Sequence, residues 1–382
     1  MSIGNTEMFE NELKELFSCF KGILFSSLAP GEHARTFLSA EQSQFTRMSQ
    51  GRIRQNGLVE DATVNVQFIS ASRSTTGVTR PFVLENKEGA FELVTSILAD
   101  ARRQTSGVPH DPYVSIPSQS LKSHVSHSGS IPSSAEIVDN LLSGLRKDDD
   151  LVGFYAGGKT ISAFADSAGT EHWFSSDSFF VDYSLWLPNG RAVKSGYAGR
   201  EWNQAAYLQT LDAARRNLQT LQRPVKVLAP GSYRVFLAPS ATSELLHMFS
   251  WGALSEGGLQ RNESPLCAVR RGEKSFSGRF NLRENYGLGF APRFSDDGEL
   301  APEVFDIIKN GHFEQALCSA RTAQEYGVTG NGSSSESLRT PEMGVGELAI
   351  DEALAALGTG LYLSDLHCFH SLIEAPDRNS FR

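Results

Sequence analysis

Met8, Phe9, Leu13, Leu16, Phe17 and Phe20 recur at near-helical spacing and predict a helix over 6–20. Between Arg35 and Val83 the pattern shifts to period two, cleanest in Thr63-Val64-Asn65-Val66-Gln67-Phe68-Ile69, with Gly51, Gly57 and Gly77 reading as turns. Helical spacing returns over 87–104. Residues 105–134 are rich in Ser and Pro, carry His110, His124 and His127, and offer few large apolar groups, the composition of a linker. From Leu151 the alternation reads as an all-β meander near 151–156, 160–166, 171–187 and 191–197. Gly157-Gly158, Ala168-Gly169 and Asn189-Gly190 separate these strands, the last being a type I′ hairpin signal.

A long helix over 201–222 should stop before Pro224, followed by strands at 225–229 and 232–238. A further helix would start at Ser240 as N-cap and end at Gly252. Residues 255–300 read as a long irregular region. A strand at 312–318, a Gly/Ser loop at 327–337 and an amphipathic helix over 346–357, ended by Gly358, complete the chain. The expected class is α+β. It comprises an N-terminal domain with an antiparallel sheet (1–105), a Ser/Pro-rich linker (106–134) and a β-rich C-terminal domain with long antiparallel strands and packed helices (135–382).

Composition narrows the function. A net charge of −9 opposes the basic footprint that nucleic acid requires. The N-terminus is acidic and amphipathic rather than a signal peptide, and no apolar run is long enough to span a bilayer. Cys19, Cys267, Cys318 and Cys368 are widely spaced, as in reduced cytosolic proteins, so a cytoplasmic location is expected.

Gly153-Phe154-Tyr155-Ala156-Gly157-Gly158-Lys159-Thr160 satisfies the phosphate-loop expression. The motif works only between a buried strand and a helix, whereas here Arg146-Lys147-Asp148-Asp149-Asp150 precedes it and strand-like alternation follows. It reads as a hairpin turn that binds no nucleotide, and Lys159→Ala should leave stability almost unchanged. His367-Cys368-Phe369-His370 holds ligand-type residues, but on a strand neighbours face opposite ways and too few could meet one metal. No G-x-S-x-G elbow supports serine catalysis. Glu284, Asp296, Asp297 and Glu299 read as solubilising loop charges. His247 could be a first metal ligand, but Met248 follows it and Trp251 stands one turn on, leaving one imidazole where zinc needs at least three protein ligands.

Seven blocks carry a resemblance: 152–158 (VGFYAGG), 164–169 (FADSAG), 194–202 (KSGYAGREW), 237–241 (LAPSA), 250–255 (SWGALS), 321–327 (RTAQEYG) and 357–363 (LGTGLYL). Residues 45–47 (FTR) and 50–57 (QGRIRQNG) match more loosely. In this order they resemble the TldD/TldE (PmbA) metallopeptidase family. The resemblance implies that TldD-type subunits cleave peptides with a metal held by a His-Glu-x-x-x-His helix and a C-terminal Cys. TldE-type subunits share the fold, lack that motif and act as non-catalytic partners.

On that pattern the chain looks TldE-like and C-terminally short, stopping after 375–382 (APDRNSFR). It would carry no catalytic residue and no metal of its own. Zinc and chemistry are expected in a TldD-type partner, and an unfolded peptide is the expected substrate, captured by strand addition at edges of the hairpins after Leu151. His247, Trp251, Glu201, Trp202 and Tyr326 are the candidates for a peptide or partner cleft. The competing readings are a stand-alone peptidase using His247 with loop carboxylates, and a scaffold or decaying paralogue.

Overall fold

The computed structural model describes residues 6–83 and 87–366. In chain order the elements of the first half are α1 (Thr6–Ser26), β1 (His33–Ser49), β2 (Arg52–Ile69), β3 (Thr75–Pro81), α2 (Lys87–Thr105), β4 (Lys122–His127), α3 (Ser134–Ser143), β5 (Asp150–Asp166), β6 (Glu171–Trp186), β7 (Ala192–Gly199) and α4 (Gln204–Thr220). The second half adds β8 (Val235–Leu237), α5 (Pro239–Phe249), α6 (Glu256–Gln260), α7 (Cys267–Arg270), β9 (Leu282–Asn285), β10 (Val304–Lys309), β11 (His312–Phe313), α8 (Ala320–Tyr326), β12 (Pro341–Met343), α9 (Ala353–Leu357) and β13 (Leu361–Leu363).

The α+β class holds, built on one seven-stranded sheet in the order β3-β2-β1-β5-β6-β4, with β7 also on β6. The long strands expected after Leu151 therefore continue the N-terminal sheet through the β1–β5 pairing, from Arg35↔Asp166 to Met48↔Gly153. Period-two burial explains the layering. Ala34, Leu38 and Ala40 of β1 pack with Phe17, Phe20 and Leu24 of α1 and Val94, Ile97 and Leu98 of α2. Further along the same face, Met48, Tyr155 and Phe179 pack with Ile137 and Leu141 of α3 and Tyr207 and Leu211 of α4. The opposite face is covered at one end, where Phe37, Phe164 and Phe174 meet Phe294 and Leu300. A second core around β9 and β10 joins Leu246, Leu254, Ile307 and Leu317.

Several expectations change. Gly157-Gly158 form no hairpin; they lie inside β5, hydrogen-bonded between β1 and β6. They are glycines because a Cβ on Gly158 would lie 2.3 Å from the Gln42 carbonyl, and one on Gly157 would lie 2.4 Å from the Tyr155 hydroxyl. Gly57 is likewise mid-strand, with the Phe45 ring lying over it. At 187–191 Pro188 fixes a negative φ and only Gly190 is left-handed (φ +80°), so the turn is not type I′. Residues 122–127, in the expected linker, form β4, parallel to β6. The expected strand at 225–229 is absent, that at 312–318 shrinks to β11, and the helix over 346–357 shrinks to α9. The region 255–300 holds α6, α7 and β9. His367 to His370 and the C-terminal block lie outside the described residues.

Candidate functional site

α5 begins with Pro239 at its first helical position after Ala238, because Pro needs no N–H partner there; the expected cap Ser240 instead donates to Asp365. Ala241 and Leu246 face the core, which leaves His247 on the exposed side. The helix ends at Phe249, Ser250 caps it and Gly252 turns the chain at φ +94°. Trp251 has therefore left the helix, yet its ring packs edge-on against His247 with centroids 6.3 Å apart. Counted strictly, the spacing His-Glu-x-x-x-His puts the second ligand on Gly252, one residue beyond Trp251, where there is no side chain at all. Among the described residues no three His, Cys, Asp or Glu side chains converge as metal ligands. The donor set at α5 is one imidazole against an indole, which does not fit zinc.

The other candidates lie apart. Trp202 is a packing residue: its ring lies 5.1–5.4 Å from Phe179, Tyr197 and Tyr207, and its Nε1–H donates to Gln204 at 3.0 Å. Glu201 is exposed beside it, and backbone bonds there tie residue 130 to 200 and 202. Tyr326 ends α8 before Gly327 and meets Arg261. Apart from the chain neighbours Glu201 and Trp202, only His247 and Trp251 of these candidates come together.

The loop carboxylates are bound elsewhere. Glu284 is fully buried and accepts from the backbone N–H groups of Arg339 and Thr340 at 2.9 and 2.8 Å. Asp297 pairs with Arg35 at 2.8 Å and its carboxyl is raised by burial. Burial, followed by the charges of Glu336 and Glu256, pushes the Cys318 thiol up to about 12, so it stays protonated.

Lys159 also has a structural task. It is buried beneath α1, with its Nζ 3.3 Å from Glu10 and 3.5 Å from Asp177. Glu10 also accepts from Trp173 Nε1 at 3.0 Å, Ser175 Oγ at 3.1 Å and Lys14 at 2.9 Å. Burial alone would raise the Glu10 carboxyl. Hydrogen bonds from Lys14 and Trp173 and the charge of Lys159 outweigh it and hold the carboxyl at about 2. This burial and pairing argue against the expectation that Lys159 is dispensable for stability.

The sequence reading missed a cavity of about 210 Å³ where the sheet meets the segment 286–303. Val125, His127, Phe174, Phe294, Arg293 and Glu303 are among its walls. Ser123, Val125 and His127 are alternate residues of β4, so one face of that strand lines it. Ser123 Oγ bonds His172 Nδ1 at 2.8 Å, while His172 Nε2 bonds the Gly298 carbonyl at 3.1 Å and the ring stacks on Phe294. These contacts lock β4 and the 294–300 segment onto β6. Burial and then the nearby Arg200 charge hold His127 below the usual imidazole range. Among the described residues β4 pairs only with β6, so its outer edge is unpaired beside the cavity. The only sequence signal for it was the alternation Ser123, Val125, His127.

Residues 230–377 match the family model of the PmbA/TldA metallopeptidase C-terminal domain. Residues 230–377 therefore belong to that family's C-terminal domain. Three of the solved structures that share this chain's fold illustrate the likeness. One, from Thermotoga maritima and described as a candidate modulator of a DNA gyrase, has a TM-score of 0.73 at 18% identity, covering 93% of this chain and 84% of that one. TldE from Thermococcus kodakarensis gives 0.64 at 16% identity, covering 95% and 83%. A second candidate modulator of DNA gyrase, from Bacteroides thetaiotaomicron, gives 0.67 at 16% identity, covering 92% and 81%. At such identities the likeness is one of fold. No curated protein matches the chain. No helix among the described residues is long and apolar enough to cross a membrane.

Proposed function

We propose that this chain is a non-catalytic, TldE-like subunit that holds an extended peptide for a TldD-type zinc metallopeptidase in the cytoplasm. The observation that carries the proposal is the metal-helix position itself, where His247 is followed by Met248 and the next ligand positions are Trp251 and Gly252. A general base and a second imidazole are both missing, so chemistry must come from a partner.

The peptide-holding part rests on β4. An extended chain added to its outer edge would gain main-chain hydrogen bonds independent of sequence. Alternate side chains of that peptide would face the same way as Ser123, Val125 and His127, and one apolar side chain would enter the cavity. Edge capture thus moves from the hairpins expected after Leu151 to β4. A subunit of this kind raises turnover by positioning the peptide and excluding water, without donating a catalytic group. The test is binding of a labelled unfolded peptide to the purified chain. Ala291→Trp, which fills the cavity from its wall, should weaken binding while His247→Ala does not. Equal binding by all three proteins would refute the site.

A further inference from the structure

β2 is paired along its whole length with β1, but β3 covers its other side only from Thr63 to Ile69. The Phe82 N–H takes the Ala62 carbonyl, and before that point no described residue pairs with the outer edge of β2. Among the described residues, 52–61 therefore present an unpaired row of alternating N–H and C=O groups. Natural proteins blunt such edges with proline, bulges or charged side chains. This edge has no proline, and its one irregularity lies near Arg54, where the register shifts between Arg47 and Met48.

Its charges are of both signs and are ordered. Arg52 and Arg54 stand at the start, Glu60 and Asp61 at the end, and Gly57 lies between them. All four charged residues are exposed, and among the described residues none is in an ion pair. Arg54 donates to Gln50 at 2.8 Å and Glu60 accepts from Gln42 at 2.7 Å, both neutral partners.

We propose that this edge pairs antiparallel with the same edge of a second copy of the chain, about a two-fold axis at Gly57, so that the two sheets become continuous. With Arg54 as the extra residue of the bulge, pairing about Gly57 sets Arg52 opposite the partner's Asp61, both on the face that carries Ser49 and Glu41 of β1. Symmetry repeats each contact, as an isologous interface requires. A parallel pairing would set arginine on arginine and carboxylate on carboxylate, so the charge order selects the antiparallel register. Gly57 leaves the crossing point without a side chain, and the Phe45 ring already covers its one face. The inference goes beyond the heteromeric role proposed above and does not depend on it, since it concerns the chain alone.

Sedimentation equilibrium on the purified chain tests it with two charge-reversed proteins. Arg52→Glu with Arg54→Glu makes the edge wholly acidic, and Glu60→Lys with Asp61→Lys makes it wholly basic. The unaltered chain should form a dimer that weakens with salt. Each reversed protein should self-associate about a hundredfold more weakly, as expected for several lost cross-strand charge pairs. Mixing the two should restore a one-to-one dimer, because each acidic edge then faces a basic one. Circular dichroism melts matching the unaltered chain would show that both variants fold. The proposal is overturned if the unaltered chain stays monomeric up to its solubility, if the variants dimerise as it does, or if the mixture of folded variants does not associate.

Discussion

Lys159→Ala separates a phosphate-binding reading of 153–160 from the structural one. The substitution removes an ammonium lying 3.3 Å from Glu10 and 3.5 Å from Asp177, whose side chains are 10% and 20% exposed. Removing one partner of a buried pair costs about 3–5 kcal/mol, because the other charge stays behind in low dielectric. Here Glu10 keeps Lys14, Trp173 and Ser175, and Asp177 keeps the Gly129 N–H at 3.1 Å. The loss should therefore fall at the low end, about 3 kcal/mol. With an m-value of about 3 kcal/mol/M, the urea midpoint drops by about 1 M. Lys147→Ala, on the exposed run before β5, serves as control and should stay within about 0.5 kcal/mol. A double-mutant cycle with Glu10→Gln should show a coupling of about 1 kcal/mol. ATP should leave every midpoint unchanged, since a ligand that binds only the folded state must raise it. The reasoning is refuted if Lys159→Ala behaves like the control, or if ATP stabilises the unaltered chain and not the variant.

The pH dependence of stability follows from Glu10, whose folded pKa of about 2 lies below the reference 4.5. A depressed carboxyl contributes stability above the unfolded pKa and loses it on acidification, so urea midpoints should fall between pH 4.5 and 2, and fall less in Glu10→Gln. Gly158→Ala should destabilise by about 3 kcal/mol or more, because its Cβ would press on the β1 backbone. Gly190→Ala, with open space around it but φ +80°, should cost only about 1 kcal/mol in the same assay. Met248→Glu combined with either Trp251→His or Gly252→His should create no peptidase, since two imidazoles leave zinc under-coordinated; chelator-sensitive peptide cleavage by either variant would contradict this.

Much of the sheet was legible because its strands alternate: Val64, Val66 and Phe68 point inward exactly where period two puts them, against α1 and α2. β4 was not, because only Val125 among Lys122–His127 is a large apolar residue, and the strand exists through its pairing with β6. Gly157 and Gly158 look like a turn in sequence, yet they are close-approach glycines in a central strand, a demand set by Gln42 and Ser43 of distant β1, Phe179 of β6 and the nearby Tyr155 hydroxyl. At the site, the local pair His247 and Trp251 could be foreseen from spacing. Trp202 could not be sorted, since a cleft aromatic and a core aromatic look alike until Tyr197, Phe179 and Tyr207 are seen around it. The cavity was invisible because its walls come from β4, β6 and 286–303, brought together only by the fold.

Peptide cleavage measured for this chain alone, for a TldD-type subunit alone and for the two mixed tests the central claim most directly. The account predicts cleavage in the mixture well above either protein alone. It should be abolished by replacing the partner's catalytic glutamate, reduced by Ala291→Trp in this chain and insensitive to His247→Ala. Chelator-sensitive cleavage by this chain alone, lost on His247→Ala, would contradict it.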